Sequence, residues 1–340
     1  MKKFLMTALG ALMLTALLSA CSSSDNEPID ENSFDGIKGE LAKAAKIDKK
    51  HDSAILLVTF GSTWDNAHET YKKVVDQFKK DFPDQDVYLA FTSKICITRW
   101  GAKTKEYFPT PDFWFRAMKK AGYKKIHVQS LHVIPGEEFA MLRDWYVKDF
   151  NLLVNGEDAP KDGNIFISLG KPLLDGEESI NKVADILYNQ HKEDLANGKA
   201  VAFMGHGNPE QSYAYGNKSY EDLYEVLQKK ENGNHIFVGT VDHGSMKIDF
   251  VIKEAEKNFK KGGTMILQPI MSIAGDHAHN DMAGNEEDSW KMLLRQAGFN
   301  VPDNDCIMKG LGDYPEIVKV WEEHLKESMD EQFGAEEDEE

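Results

Sequence analysis

Metal-capable side chains follow three apolar stretches in the second half of the chain, each at the point where the stretch ends. They are His206, Asp242, His243, His277 and His279. The apolar stretches predict buried parallel strands, and ligands of an open α/β sheet bind outside the carboxyl ends of its strands. Imidazole and carboxylate groups suit divalent first-row transition metals, and imidazole also accepts protons near neutral pH. The pattern therefore predicts a metal or proton-transfer site at one sheet edge. The alternative is that each histidine only satisfies local hydrogen bonds.

Strand and helix patterns alternate along both halves of the chain. The predicted strands are 53–60, 86–91, 125–132, 200–204, 235–239 and 265–267. The predicted helices are 34–45, 66–82, 112–121, 221–229, 248–259 and 289–297, and another helix is predicted to begin at residues 135–138. A further strand, near residues 165–168, can belong to either half. Strands that alternate with helices of this length are typical of parallel sheets.

The two halves repeat the same plan. The segment Val128–Glu137 corresponds to Leu267–Asp276, and other strand ends match at a nearly constant separation. Such a repeat indicates duplicated βα units. We therefore predict an α/β fold of two similar doubly wound parallel-sheet domains around a cleft. The first domain covers residues 51–175 and the second, with the metal site, covers 176–330.

The amino terminus has the pattern of a secretory signal. A short apolar run follows Lys2 and Lys3, and it is too short for a typical membrane-spanning helix. The sequence Leu-Ser-Ala-Cys resembles a bacterial lipobox, which implies removal of residues 1–20 and lipidation of Cys21. A plain signal peptide is the alternative. We expect residues 21–50 to tether a lipoprotein to a membrane of the cell envelope, on its periplasmic or outer-membrane face.

Acidic residues dominate the charge of the chain. Its net charge is -17, and removal of the two lysines in residues 1–20 lowers it to -19. Nucleic-acid binding needs basic surface against phosphates, so nucleic acid is excluded as a partner. The acidic tail, 331–340, is interpreted as a solvated end rather than a partner-binding segment. Cys96 and Cys306 are interpreted as small core residues rather than a disulfide.

Five segments of the chain together resemble one enzyme family. They are Ile55–Ser62, Gln129–Glu138, Phe203–Gly207, Val238–Val241 and Ala274–Ala278. They look like the motifs of the anaerobic-type sirohydrochlorin cobaltochelatases (CbiK-type), which belong to the class II chelatases together with ferrochelatase. The string Leu-His-Val-Ile-Pro-Gly-Glu-Glu is the most specific part. The resemblance covers roughly residues 50–330 and implies two similar α/β domains around a tetrapyrrole cleft.

The resemblance places the family's metal-binding residues on three positions of this sequence. It implies that His206, Asp242 and His277 bind the metal, and that His206 also accepts protons from the pyrrole nitrogens. The family has Glu at the middle position, where this chain has the shorter Asp242 followed by His243. His243 is therefore a candidate substitute ligand. This departure leaves the native metal open.

Sirohydrochlorin is rich in carboxylates, so an acidic chain needs local cations to bind it. Lys94, Arg99 and Lys103 follow the second predicted strand and are the candidates, with solvated surface charge as the alternative for each. His132 lies at the corresponding edge of the first half and is a further candidate for substrate binding.

The resemblance implies insertion of Co(II) into sirohydrochlorin with release of two protons, in the cobalamin pathway and without an organic cofactor. Fe(II) and Ni(II) are alternative metals, and a homo-oligomer stays open. The lipobox supports a second hypothesis, a non-enzymatic lipoprotein that binds haem, another tetrapyrrole or a metal for an uptake system. A metal-dependent hydrolase is the weakest hypothesis, because no nucleophile motif accompanies the histidines.

Overall fold

A computed structural model describes residues 34–157, 159, 164–209, 213–231 and 234–334. The predicted signal peptide, the lipidation site Cys21, tether residues 22–33 and tail residues 335–340 lie outside the described residues. Within the described ranges, the helices are all too short or too polar to cross a bilayer.

The first sheet consists of parallel strands from the first half of the chain. They are β1 (Ser53–Thr59), β2 (Asp86–Phe91), β3 (Lys125–Ser130) and β4 (Phe166–Gly170), in the order β2-β1-β3-β4. Ile55 of β1 pairs with Val87 on one side and with His127 on the other. Alternate residues of β1 pack into different cores, Ile55 into one and Leu56 into the other, as in a sheet that is buried on both faces. The strand that the sequence pattern could assign to either half of the chain is β4, and it belongs to this sheet.

The second sheet repeats the central part of the first. Its parallel strands are β5 (Ala200–Gly205), β6 (Ile236–Thr240) and β7 (Met265–Pro269), in the order β6-β5-β7. This order is equivalent to β2-β1-β3, so the sequence repeat corresponds to a repeated βα arrangement. The predicted fold class, α/β with two similar parallel sheets, is confirmed.

Helices pack on both faces of the two sheets. They are α1 (Phe34–Ala44), α2 (Asp65–Asp81), α3 (Lys94–Thr104), α4 (Pro111–Ala121), α5 (Glu137–Met141), α6 (Lys148–Asn155), α7 (Glu177–Ala196), α8 (Ala214–Lys230), α9 (Ile248–Asn258), α10 (Trp290–Gln296) and α11 (Pro315–Ser328). A π-helical turn at Leu142–Val147 joins α5 to α6, and another at Ala278–Met282 follows the loop after β7.

The helix predicted to begin at residues 135–138 is α5, which continues through the π-helical turn into α6, whereas α3, α7 and α11 are absent from the predicted elements. The sequence pattern predicts that the residues after β2 continue the strand, but a helix begins there instead. Ser93 caps this helix, because its Oγ accepts a hydrogen bond from Cys96 N at 3.3 Å. α7 buries Val183 and Leu187 at helical spacing, beneath a mostly polar sequence. α8 begins at Ala214, earlier than predicted.

One hydrophobic core is shared by the two sheets. It contains Ile55 of β1, Val201 of β5 and Trp321 of α11. α11 packs against β3 and β4, and Trp321 Nε1 donates a hydrogen bond to His132 O at 3.4 Å. The carboxyl-terminal helix therefore covers the first sheet and supports the segment that follows β3.

The two internal cysteines lie in different cores. Cys96 is buried in the shared core, and Cys306 packs against the core on the outer face of the second sheet. Both placements agree with their interpretation as small core residues.

Buried His127 should make the protein less stable in acid. It lies on β3 with Nδ1 2.9 Å from Ser168 Oγ, and burial, assisted by Lys125, lowers its pKa to about 4. An unfolded chain would bind the proton near pH 6.5, so stability is full above that pH and falls as the pH drops towards 4. Between pH 7 and pH 5 this group should account for a loss of about 2 kcal/mol. In urea unfolding, His127→Gln should show a correspondingly smaller loss between these pH values. Equal losses in variant and wild type would contradict the prediction.

Candidate active site

The carboxyl ends of both sheets open into one cleft, which encloses about 1260 Å³ when the space open to solvent is included. Loops that follow β1, β3, β5, β6 and β7 form most of its lining. The titratable lining residues are Tyr71, Cys96, His132, Glu137, Glu138, His206, Tyr220, Asp242, Asp276 and His277. Within the described part of the chain, the lining contains carboxylates but no Lys or Arg. Its charge therefore attracts cations.

His206 projects from a Gly-His-Gly loop whose glycines are required by close packing. A β-carbon at Gly205 would lie 2.4 Å from the Tyr220 ring, and one at Gly207 would lie 2.8 Å from His243 N. Gly207 also has a φ of +76°, a left-handed conformation that favours glycine. His206 Nδ1–H donates a hydrogen bond to Gly207 O at 2.8 Å, which leaves the Nε2 lone pair for a metal ion or a proton.

Asp242 is held beside His206 because backbone hydrogen bonds between β5 and β6 continue past the strand ends. Val241 N donates to Gly205 O at 3.0 Å, and Asp242 N donates to His206 O at 2.8 Å. The Oδ2 atom of Asp242 lies 3.9 Å from His206 Nδ1. The backbone thus brings the first two predicted ligands to one edge of the cleft.

His243 is buried and is not part of the cleft lining. Its Nε2 lies 3.1 Å from Glu221 Oε1 and 2.9 Å from Ser245 Oγ. The Nε2 atom is therefore already engaged with polar groups outside the cleft, while Nδ1 is buried without a hydrogen-bond partner among the described residues. This placement gives no support to the prediction that His243 substitutes for the shorter carboxylate of Asp242.

His277 completes the group from the loop after β7. Its side chain is 14% exposed, and its ring centroid lies 4.7 Å from that of His206. Nδ1–H donates to Asp281 Oδ2 at 2.6 Å, so Nε2 carries the lone pair of the neutral ring. That Nε2 is buried without a hydrogen-bond partner among the described residues. Burial lowers the pKa of His277, but the hydrogen bond and charge of Asp281, with Asp276 and Asp242, outweigh burial and raise it overall.

The second-sheet residues approach one another in pairs. His206 contacts Asp242 on one side and His277 on the other. No cluster of three or more His, Cys, Asp or Glu side chains in the described ranges is close enough to hold a metal ion. The assignment of His206, Asp242 and His277 as the ligand set therefore stays a prediction.

The first-sheet wall of the cleft carries His132 and Glu138. His132 Nε2 lies 3.4 Å from Glu138 Oε2, and its Nδ1 lies 2.9 Å from Ser130 Oγ. Burial lowers the pKa of His132 to about 4. Burial also raises the pKa of Glu138, while the nearby His206 and His277 act in the opposite direction. Glu138 is thus within electrostatic reach of both second-sheet histidines.

The amino terminus of α5 is attached across the cleft to Asn208. Glu137 N donates a hydrogen bond to Asn208 Oδ1 at 3.0 Å, and a β-carbon at Gly136 would lie 2.6 Å from Asn208 Nδ2. The Pro-Gly-Glu-Glu segment therefore does more than begin a helix, which is all that the local pattern predicts. Its specific string was the available signal for the cleft residue Glu138, which sequence reasoning did not name as a site candidate.

Residues 53–330 match the family model described as "Cobalt chelatase (CbiK)". The chain belongs to the cobalt chelatase family. The sirohydrochlorin cobaltochelatase CbiKC of Nitratidesulfovibrio vulgaris (strain Hildenborough) is 31% identical over 277 residues, which cover 80% of this chain and 88% of the relative. The sirohydrochlorin cobaltochelatase of Salmonella typhimurium (strain LT2) is 29% identical over 280 residues, covering 81% and 96%. The structure of SirB from Bacillus subtilis with Fe3+ has the same fold, with a TM-score of 0.57 at 17% identity, covering 83% of this chain and 99% of that one.

The basic residues predicted to bind substrate do not line the cleft of this cobalt chelatase family member. Lys94 Nζ donates hydrogen bonds to Glu40 Oε1 at 2.8 Å and Oε2 at 3.1 Å, and it thereby attaches α1 to α3. Arg99 lies partly buried on α3, outside the lining. His132 is the predicted substrate-binding residue that the structure places in the cleft. The geometry therefore gives no support to a basic rim formed by α3.

Asp281→Asn should weaken Co(II) binding by this family member about 10-fold, because partners that orient metal-binding histidines contribute 10–100-fold to affinity. The carboxylate of Asp281 also raises the pKa of His277. Metal binding needs neutral imidazole, so affinity falls as the pH drops through that pKa. Without the carboxylate, this fall should occur at lower pH. Co(II) titrations between about pH 5.5 and 8 measure both effects. The exposed Asp249→Asn is the matched control, and an unchanged affinity and pH midpoint in Asp281→Asn would contradict the assignment.

Proposed function

We propose that the protein is a sirohydrochlorin cobaltochelatase, which inserts Co(II) into the macrocycle with release of two protons in the cobalamin pathway. The observation that carries the proposal is the placement of His206, Asp242 and His277, from three strand ends, on one cleft. Membership in the cobalt chelatase family supports the same reaction, and both relatives described above carry this name.

The negative charge of the cleft supports a mechanism in which the metal ion binds to the protein before it is transferred to the tetrapyrrole. Glu137, Glu138, Asp242 and Asp276 line the cleft, and the described lining has no basic side chain of Lys or Arg. Such a cleft raises the local concentration of a divalent cation. A tetrapyrrole rich in carboxylates would enter with its nitrogen core towards the histidines and its acidic substituents towards solvent. The protein would hold the metal ion and the tetrapyrrole next to each other, two reactants that would otherwise meet rarely.

Two pyrrole N–H protons must leave as the metal enters the macrocycle. His206 is 43% exposed, and its Nε2 can accept a proton once the metal has moved and then release it to solvent. Glu138 is the second acceptor, because burial raises its pKa and so makes its carboxylate more basic than an ordinary glutamate. No change of oxidation state is required of the metal or the protein.

Cobalt is the metal that the family description names. The relative of known structure with the same fold was solved with Fe3+, so iron is the competing metal to test. Imidazole and carboxylate ligands accept either Co(II) or Fe(II).

The experiment that tests the function uses the protein from Ser22 onward with sirohydrochlorin and Co(II) under anaerobic conditions. Absorbance of the tetrapyrrole reports insertion. Many turnovers per protein, faster than in a protein-free control, would support the enzyme. Saturation at one equivalent with no acceleration would contradict it and leave a tetrapyrrole-binding lipoprotein. Parallel reactions with Fe(II) would rank the two metals.

We also propose that a lipid on Cys21 holds the protein at the cell envelope. The support is the amino-terminal sequence pattern, since Cys21 lies outside the described residues. Fractionation of cells that express wild-type protein or Cys21→Ala tests the proposal. The wild type should sediment with membranes and the variant should not, and equal distributions would contradict the anchor.

A further inference from the structure

Two loops from different sheets contact each other at the edge of the cleft. Trp64, after β1, stacks on His279 with ring centroids 3.6 Å apart and an interplanar angle of 3°. Trp64 Nε1 donates a hydrogen bond to Asp276 Oδ1 at 3.3 Å, and Asn66 Nδ2 donates to Ala274 O at 3.0 Å. We call this group of Trp64, Asn66, Ala274, Asp276 and His279 the rim clasp.

The rim clasp brackets the candidate metal ligand His277. Asp276 precedes His277 and His279 follows it closely, and both are held by the single indole of Trp64. Another segment packs tightly against the same loop, because a β-carbon at Gly310 would overlap the backbone of Ile273. The loop that carries the His277 imidazole is therefore held by a residue of the other sheet.

Other contacts already hold the two sheets together. Ser272 Oγ donates a hydrogen bond to Leu131 O between the ends of β7 and β3, and Glu137 N donates to Asn208 on another side of the cleft. The shared hydrophobic core adds to these contacts. Loss of the rim clasp should therefore leave the molecule folded and release mainly the loop that carries His277.

We propose that Trp64 is a positioning residue that holds His277 in place for the metal through the rim clasp. The inference rests on the proposed function and adds a residue to its site. It predicts that loosening the clasp weakens metal binding and raises the KM for Co(II), while the KM for the tetrapyrrole changes little. Partners that orient metal ligands typically contribute 10–100-fold to affinity, so we expect a loss of about 10-fold.

Two variants separate the contacts of the clasp. His279→Ala removes the stacking partner and leaves the cleft lining unchanged, since His279 is not among the lining residues. Trp64→Phe keeps an aromatic ring for stacking and loses the N–H that bonds Asp276. If both act through the same loop, the double variant should lose less affinity than the two single losses combined. Trp145→Ala is the control, because this tryptophan is 66% exposed and lies outside the lining.

The experiment titrates each full-length variant with Co(II) alone, followed by the visible absorption of the bound ion, and then measures turnover with sirohydrochlorin. Urea unfolding identifies any variant that fails to fold, in which case the other single variant decides. Weaker Co(II) binding in the folded clasp variants, with the control unchanged, supports the proposal. Turnover by the wild type together with wild-type Co(II) affinity in the variants overturns the clasp but not the function. Weakened binding in the variants without wild-type turnover overturns the function but not the clasp. Absence of Co(II) binding by the wild type overturns both.

Discussion

His277→Ala should lower the rate of Co(II) insertion by a factor of at least about 100. Even the residues that only orient a metal-binding histidine contribute about 10–100-fold to metal affinity or activity. The variant removes the Nε2 atom that lies buried beside His206 without a hydrogen-bond partner among the described residues. It also leaves the Asp281 carboxylate without the imidazole N–H from which it accepts a hydrogen bond. Anaerobic turnover with Co(II) and sirohydrochlorin measures the effect, and Co(II) titration shows whether binding is lost with it.

His206→Ala belongs in the same experiment. It should also lose turnover, because His206 is proposed both to bind the metal and to accept a proton. His243→Gln should keep most of the Co(II) affinity, since His243 lies outside the cleft lining and its Nε2 is engaged with Glu221 and Ser245. His235→Ala is the matched control, a partly exposed histidine outside the cleft lining. Wild-type turnover in His277→Ala would contradict the ligand assignment. Loss of Co(II) binding in a folded His243→Gln variant would show instead that His243 is part of the metal site.

Lys94→Ala should destabilise the protein by about 3 kcal/mol, because removal of the lysine leaves the buried carboxylate of Glu40 uncompensated. Glu40 is the partner, with a side chain that is 2% exposed, and Lys94 itself is 34% exposed. The same carboxylate accepts a hydrogen bond from Thr110 N at 3.0 Å, so it cannot easily turn to solvent. Urea unfolding measures the loss, and limited proteolysis shows whether α1 detaches first.

Lys103→Ala is the matched control for Lys94→Ala, since it removes another lysine of the predicted basic rim. Lys103 is 52% exposed and pairs with Asp65, which is 76% exposed, so its loss should cost less than about 1 kcal/mol. The folded Lys94→Ala enzyme should keep its KM for sirohydrochlorin. An unchanged stability with a raised KM would show instead that Lys94 binds substrate, as its position in the sequence suggested.

Local pattern and the parallel-sheet rule were enough to predict the fold and to place three metal-capable residues at one cleft. Apolar runs mark buried strands, and the repeat relates the two halves, so β1 to β3 and β5 to β7 follow from short-range information. Because parallel strands end at a common edge, His206, Asp242 and His277 could be assigned to one side of the sheet without coordinates. α7 and α11 were missed because their apolar positions are diluted by polar residues on the solvent side.

The sequence by itself determined the α/β class, the repeated βα plan and the strand ends that carry His206, Asp242 and His277. Only the tertiary structure decided what each polar side chain contacts. Lys94 meets a carboxylate 54 residues away, and Trp64 bonds Asp276 across a separation of 212 residues. Periodicity is a property of neighbouring residues, whereas the partner of a charge or an indole depends on which distant segment the packed core brings against it. For that reason His277 was foreseeable from sequence, and the contacts that orient it, from Asp281 and through the rim clasp from Trp64, were not.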